Sequence, residues 1–251
     1  MFNSFAIKPL KYILTLALAI SVYSCKEETT LSFASTAIIT NNETVVEVNI
    51  PKAEGNTEAA KAINTTLENF TNKALNVDSA NTMKPTIEEN IATFNTSYKR
   101  FKTEIGKTLL TDLPSWEALI DGEIIYQNES VISIVMNSSI NTGGAQGIFN
   151  MKFFNFDTAT GKELQTEDII TDVEAFKTVV KKYYNKELET GYKEINLQLS
   201  DAPFSLPENL GFSEDGIIIF YDQLSSPSSD PLEFTIPYAV ANKHLAFKVI
   251  F

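Results

Sequence analysis

The side chains that could do chemistry are few in this chain, and they are far apart. His244 is the only histidine in 251 residues, so zinc sites built on histidine clusters or His-x-x-His spacing are excluded. A lone histidine can act as a general base, but no serine or cysteine stands in a recognisable nucleophile elbow. The plainer reading is a histidine satisfied in the core or at the surface near the C-terminus. Glu163, Glu167, Asp168 and Asp172 cluster around an expected helix start. Paired carboxylates could serve a glycosidase, although the helix dipole favours acids at that place in any case. The single cysteine, Cys25, can form no intrachain disulfide. The sequence therefore assigns no catalytic residue, no cofactor and no metal.

The densest feature is Ser139-Ile140-Asn141-Thr142-Gly143-Gly144-Ala145-Gln146-Gly147. Gly143, Gly144 and Gly147 lie between a Val/Ile-rich run and an aromatic run, which calls for positive φ or for close approach by another group. A phosphate loop would need Lys and Ser/Thr directly after the last glycine; Ile148 and Phe149 stand there and continue as strand. The alternative is a glycine-kinked hairpin that shapes a sheet. Phe149, Phe153, Phe154, Phe156, Tyr221 and Tyr238 could form a platform for stacking sugars, or they could be core.

Gly143 to Gly147, then Asn155-Phe156-Asp157, Gly161-Lys162 and Asp168-Ile169, resemble the C-terminal domain of RsiV-type anti-sigma factors. Phe212-Ser213-Glu214-Asp215-Gly216, Phe220-Tyr221, Phe234 and Ile236-Pro237-Tyr238 resemble its second half, so the likeness runs over about residues 135 to 240. The region before it resembles, more weakly, the small domain that precedes the catalytic domain of PdaC-type peptidoglycan deacetylases. The first resemblance implies a module that binds lysozyme, with Gly143, Gly144, Gln146, Gly147, Tyr221 and Tyr238 as the binding residues. Gln146 stands where that family usually has histidine, and Leu224 to Pro231 replaces its Tyr-rich loop. Asp157 has neither a second adjacent aspartate nor a histidine pair, so the PdaC likeness stops before the catalytic domain. No transmembrane helix with a cytoplasmic sigma-binding segment is expected, which argues against a signalling role.

Periodicity supplies the elements that would position these residues. Thr44 to Ile50 reads as a strand after a Ser/Thr/Ala-rich lead-in, and a helix starting near Asn56 or Thr57 carries Ala60, Ile63, Leu67, Phe70 and Ala74 on one face. Thr86 and Glu89 form the capping box of a second helix with Ile87, Ile91, Phe94, Tyr98, Phe101 and Ile105 in a stripe. From Trp116 the period becomes strand-like through Ile124-Ile125-Tyr126 and Val131 to Met136, with Asn128-Glu129-Ser130 as the turn. The aromatic strand Met151 to Phe156 ends in a hairpin turn at 157–161, and a third helix is expected behind a Thr171/Glu174 capping box. Short strands at Ile217 to Tyr221, Leu232 to Ile236 and Ala246 to Phe251 complete an α+β fold, a largely antiparallel sheet with about three helices packed on it.

Met1 to Ser24 reads as a signal peptide, with Lys8 and Lys11 in the n-region and Tyr12 to Val22 as the apolar run. Val22-Tyr23-Ser24-Cys25 resembles a lipobox, so Cys25 is expected to carry lipid, and Lys26-Glu27-Glu28 resembles a signal for surface display; a plain polar tether would look the same. The expected organisation is signal peptide 1–24, lipidated tether 25–43, PdaC-like region 44–115 and RsiV-like domain 116–251, the last two folding as one cooperative unit. The net charge of −12 becomes −14 once Lys8 and Lys11 leave with the leader, which disfavours nucleic acid and favours cationic partners. The expected protein is an outer-membrane lipoprotein that captures a cationic lysozyme-like protein or peptidoglycan; the alternative is an enzyme of unrecognised type acting on envelope polysaccharide.

Overall fold

The computed structural model describes residues 31–41, 43–78, 81–105, 113–144, 146–191, 204–222 and 231–247. The leader, Cys25, Lys26-Glu27-Glu28, Ala145 and the loop from Leu224 to Asp230 lie outside them. The α+β reading holds: a five-stranded and a three-stranded sheet carry the helices.

The first layer begins with a hairpin of β1 (Phe33–Asn41) and β2 (Val45–Ala53). β1 takes up about half of the stretch expected as tether. Its Ser, Thr and Ala residues hide the strand signal, and nine register pairs with β2 supply the order that composition does not. α1 (Glu58–Leu75) starts where Thr57 accepts a hydrogen bond from the Ala60 amide at 3.1 Å. α2 (Ile87–Ile105) starts at the expected box: the Thr86 hydroxyl accepts from the Glu89 amide at 3.2 Å, and the Glu89 carboxylate accepts from the Thr86 amide at 3.3 Å. Both helices bury the faces their spacing marks out, Ile63 and Leu67 from one, Ile91, Phe94 and Tyr98 from the other.

The chain returns as β3 (Glu117–Gln127), β4 (Val131–Asn141) and β5 (Ile148–Asp157), giving the order β1-β2-β3-β4-β5. β2 and β3 are parallel, because α1 and α2 form the crossover between them, and the other pairs are antiparallel. A register shift between Ile124 and Tyr126 bends β3. The inward residues of this sheet and the helices make the first core, in which Trp116 sits 5.4–5.7 Å, ring centre to ring centre, from Phe94, Tyr98 and Phe101.

The second layer comprises α3 (Thr166–Ile169), α4 (Val173–Gly191), β6 (Leu210–Phe212), β7 (Gly216–Tyr221), β8 (Leu232–Pro237) and α5 (Tyr238–Ala241), with a 3-10 turn over Asn242–His244. α4 is capped one residue later than expected. Asp172 accepts from the Ala175 amide at 3.0 Å, while the Thr171 hydroxyl donates to the His244 carbonyl at 3.0 Å instead. Of the expected strand from Ala246 to Phe251, residues 248–251 lie outside the description; Leu245 bridges Ile170, and the Ala246 amide donates to Ile169 at 2.8 Å.

The three-stranded sheet packs on the outer face of β4 and β5 through a buried polar stitch. Ser133 donates to Asn155 Oδ1 (2.8 Å) and accepts from the Phe212 amide (3.0 Å), and Asn155 Nδ2 donates to the Leu210 carbonyl (2.8 Å). Beside it, the Asn209 side chain accepts from the Phe153 amide and donates to the Met151 carbonyl, both at 2.8 Å, as a neighbouring strand would.

His244 is buried against Phe176, and its Nε2 has no hydrogen-bond partner among the described residues. Burial, and then the adjacent Lys243, hold its pKa below the ordinary value, with Asp172 partly opposing. The unfolded chain therefore binds a proton that the folded chain resists. Stability from this group is complete above the unfolded pKa of about 6.5 and is lost as pH falls towards the depressed folded value. The melting temperature is expected to fall between pH 7 and pH 5 more steeply in the wild type than in His244→Phe; equal slopes would remove His244 from the acid response.

Candidate functional site

The glycine loop joins β4 to β5. Gly143 has φ of +80°, and its amide donates to Asn141 Oδ1 at 2.9 Å. A Cβ on Gly147 would lie 3.2 Å from the Ile140 carbonyl oxygen, so this glycine serves close approach. Gly144 does neither: its φ is not positive, and a Cβ there would meet nothing nearer than 3.7 Å. The expected requirement for glycine thus belongs to Gly143 and Gly147. Beneath the loop is Trp116, whose buried Nε1 has no partner among the described residues and lies 3.9 Å from where a Gly143 Cβ would be. Gly143, Gly144, Gln146 and Gly147 are all exposed.

Tyr221 and Tyr238 are elsewhere. Both belong to the second core, and they mark opposite ends of the β7–β8 ladder, where Tyr221 pairs with Leu232 and Gly216 with Pro237. The Tyr238 hydroxyl donates to the Ser213 carbonyl at 2.7 Å and that of Tyr221 to the Ser205 carbonyl at 3.0 Å. Burial, together with Tyr126 beside Tyr238 and Tyr184 beside Tyr221, pushes both phenols far above their usual pKa. They act as anchors within the second layer and form no common site with the glycine loop. The aromatic platform is likewise divided: Phe154 and Phe156 face the first core, Phe153 lies under the second layer against Phe220, and Phe149 is exposed.

The acid cluster is held by local partners. Asp168 closes a box by accepting from the Gln165 amide at 3.0 Å, and Lys162 beside it, followed by that amide, lowers its pKa. Glu163 pairs with Lys152 at 3.1 Å, and Asp172 is a helix cap. Among the described residues no group of three His, Cys, Asp or Glu side chains could hold a metal ion.

Strand register assembles a surface that no single segment of sequence displays. Ile39 pairs with Glu47, Glu47 with Leu119, Leu119 with Ser139, and Ser139 with Phe149. These five residues form one row across five strands, about 20 Å at the usual strand spacing, on the face away from α1 and α2. Ile39, Leu119 and Phe149 are 73, 41 and 57 % exposed. Glu47, Glu117, Asp121 and Glu123 point the same way, and at this end of β2 to β5 no outward position is lysine or arginine. The surface is a row in which three exposed apolar side chains alternate with Glu47 and Ser139, flanked by carboxylates and adjoining the glycine loop. Ile39 and Leu119 are not marked in the sequence, because each lies in a short apolar run, Ala37-Ile38-Ile39 and Ala118-Leu119-Ile120, that does not show which side chain faces outward. Only the pairing brings them into line.

This architecture, two helices on one face of a mixed sheet with a small sheet stitched to part of the other, defines the class of module. Residues 38–149 match the family model described as deacetylase PdaC, a span that runs through the glycine loop and past the expected limit at residue 115. No curated protein matches the chain. A crystal structure of a DUF3298 family member from Bacteroides fragilis is similar with a TM-score of 0.66 at 18% identity, over 87% of this chain and 94% of that one. A DUF3298 family protein from Pseudomonas aeruginosa gives 0.57 at 17% identity, over 86% and 93%. At these identities what is shared is the fold.

Proposed function

We propose that this chain is a lipid-anchored binding module of the cell envelope, held by Cys25 in the outer membrane and facing the cell surface, whose open sheet face captures a cationic protein of the lysozyme class. The observation that carries the reading is the row Ile39, Leu119 and Phe149 set among Glu47, Glu117, Asp121 and Glu123. Large apolar side chains exposed together on one sheet face favour recognition of a partner, and carboxylates between and around them select a partner of opposite charge. The resemblance of the glycine loop to RsiV-type domains supports the same partner, since that loop borders the face. Gln146 is exposed beside it and can still offer a donor and an acceptor.

Binding of a basic lysozyme is read by biosensor. The association rate is expected to fall as salt shortens the screening length from about 30 Å at 0.01 M to about 10 Å at 0.1 M. Leu119→Asp with Phe149→Asp should speed dissociation by about tenfold or more, while Glu47→Lys with Asp121→Lys should mainly slow association. Absence of binding at micromolar concentration in low salt, or unchanged affinity in a folded Leu119→Asp/Phe149→Asp protein, rejects the reading.

A further inference from the structure

The helix side of the same sheet carries a second, chemically different concavity. The helices cover the C-terminal part of β5, where Phe154 and Phe156 are buried, but not its N-terminal part, so a groove of about 660 Å³ is left between the C-terminal half of α1 and the inward residues of β4 and β5. That is within the usual size of small-ligand sites, about 300–1,000 Å³. Asn69, Phe70 and Lys73 line it from the helix, and Asn150 and Lys152 from β5, with Glu163 at one end.

We infer that this groove is a saccharide-binding site, taking a short neutral glycan segment independently of protein capture on the opposite face. A sugar hydroxyl both donates and accepts, and so pairs best where a donor and an acceptor stand side by side. Lys152 Nζ and Glu163 Oε1 are such a pair at 3.1 Å, and each asparagine amide offers both functions from one plane. The ring hydrogens of a sugar need an apolar wall, which Phe70 supplies, half-buried and held edge-on to Phe154 at 5.8 Å. Lys152 lies 4.2 Å from the centre of the Phe154 ring, so its stem and charge are both fixed by the protein before any ligand arrives.

The same lining argues against other small ligands. A phosphate would face the C-terminal end of α1, where the dipole is negative and the Lys73 carbonyl already accepts from the Asn76 amide at 3.2 Å. A wholly apolar ligand would strand two lysines, a glutamate and three amides without water. The groove's two lysines and one glutamate leave it nearly neutral in a chain of net charge −12, so it does not share the acid character of the opposite face.

The test is a titration of the isotope-labelled full chain with cellotetraose, chitotetraose and a Gly/Ser tetrapeptide, following the side-chain amide signals of Asn69 and Asn150. Saturable shifts with at least one tetrasaccharide and none with the peptide are expected. Asn150→Ala and Lys152→Met should each weaken that binding by about tenfold with unchanged melting, and Leu119→Asp/Phe149→Asp should leave it intact. The inference is overturned if no tetrasaccharide gives a saturable shift at millimolar concentration, if the peptide binds equally well, or if both groove variants bind as the wild type. None of those results would touch lysozyme binding, which is read at the other face.

Discussion

Asn155→Leu is expected to lower the melting temperature by about 10 °C, and to separate the unfolding of the second layer from that of the first. Asn155 is buried, and its amide links three strands: it accepts from Ser133, which in turn accepts from the Phe212 amide, and it donates to the Leu210 carbonyl. Leucine fills a similar volume but orphans one donor and one acceptor in a dry interface, each costing about 1–3 kcal/mol. At about 2–4 °C per kcal/mol for a chain of this size, the two together give the stated shift. Calorimetry checks both parts. A variant melting within about 2 °C of the wild type, hence within about 1 kcal/mol, would mean that the stitch contributes little. The wild type should show one transition, since residues from both halves meet at this point.

Gly161→Ala should cost above about 3 kcal/mol, where Gly143→Ala costs about 1–2 kcal/mol. The comparison is controlled by the backbone itself. Both glycines have positive φ, +70° and +80°, so both substitutions carry the same conformational penalty. Only at 161 would the new methyl run into backbone, 2.7 Å from Ala59 Cα and 2.9 Å from its carbonyl carbon; at 143 it would meet Pro114 at an ordinary 3.5 Å. Backbone at the first turn of α1 cannot swing aside as a side chain can. Denaturant midpoints of the two variants measure the difference, and equal losses would show that the turn after β5 does not press on α1.

The helices were legible because their signal is local: Thr57 and Thr86 stand where the caps form, and the apolar spacing of α1 and α2 matches their buried faces. β1 was not legible, since an edge strand rich in Ser, Thr and Ala lacks the alternation that a half-buried strand shows. The cap of α4 moved from Thr171 to Asp172 for a reason lying 73 residues away, the His244 carbonyl that claims the threonine hydroxyl. The same limit governs the sites. The glycine loop could be found from composition, but which glycine needed its freedom depended on what lay around each one. The row of Ile39, Leu119 and Phe149 and the groove beside Asn150 exist only through register and through where α1 ends, and neither is written in any one stretch of chain.

The side chain of Asn209 bears on a different matter, the tendency of open sheets to polymerise. β5 is an outer strand, and a bare outer strand is a template on which another chain can add. From Met151 to Asp157 that template is already taken: Asn209 occupies the backbone groups of Met151 and Phe153, the Leu164 amide meets the Asn155 carbonyl, and the Asp157 amide reaches the Lys162 carbonyl. What remains is the stretch Ile148 to Asn150, two of whose three side chains are large and apolar. Three residues fall short of the usual strand of about five or six and leave little length for another chain to add. The protein can therefore show hydrophobic side chains at this margin for recognition without offering the length of free backbone on which fibres grow.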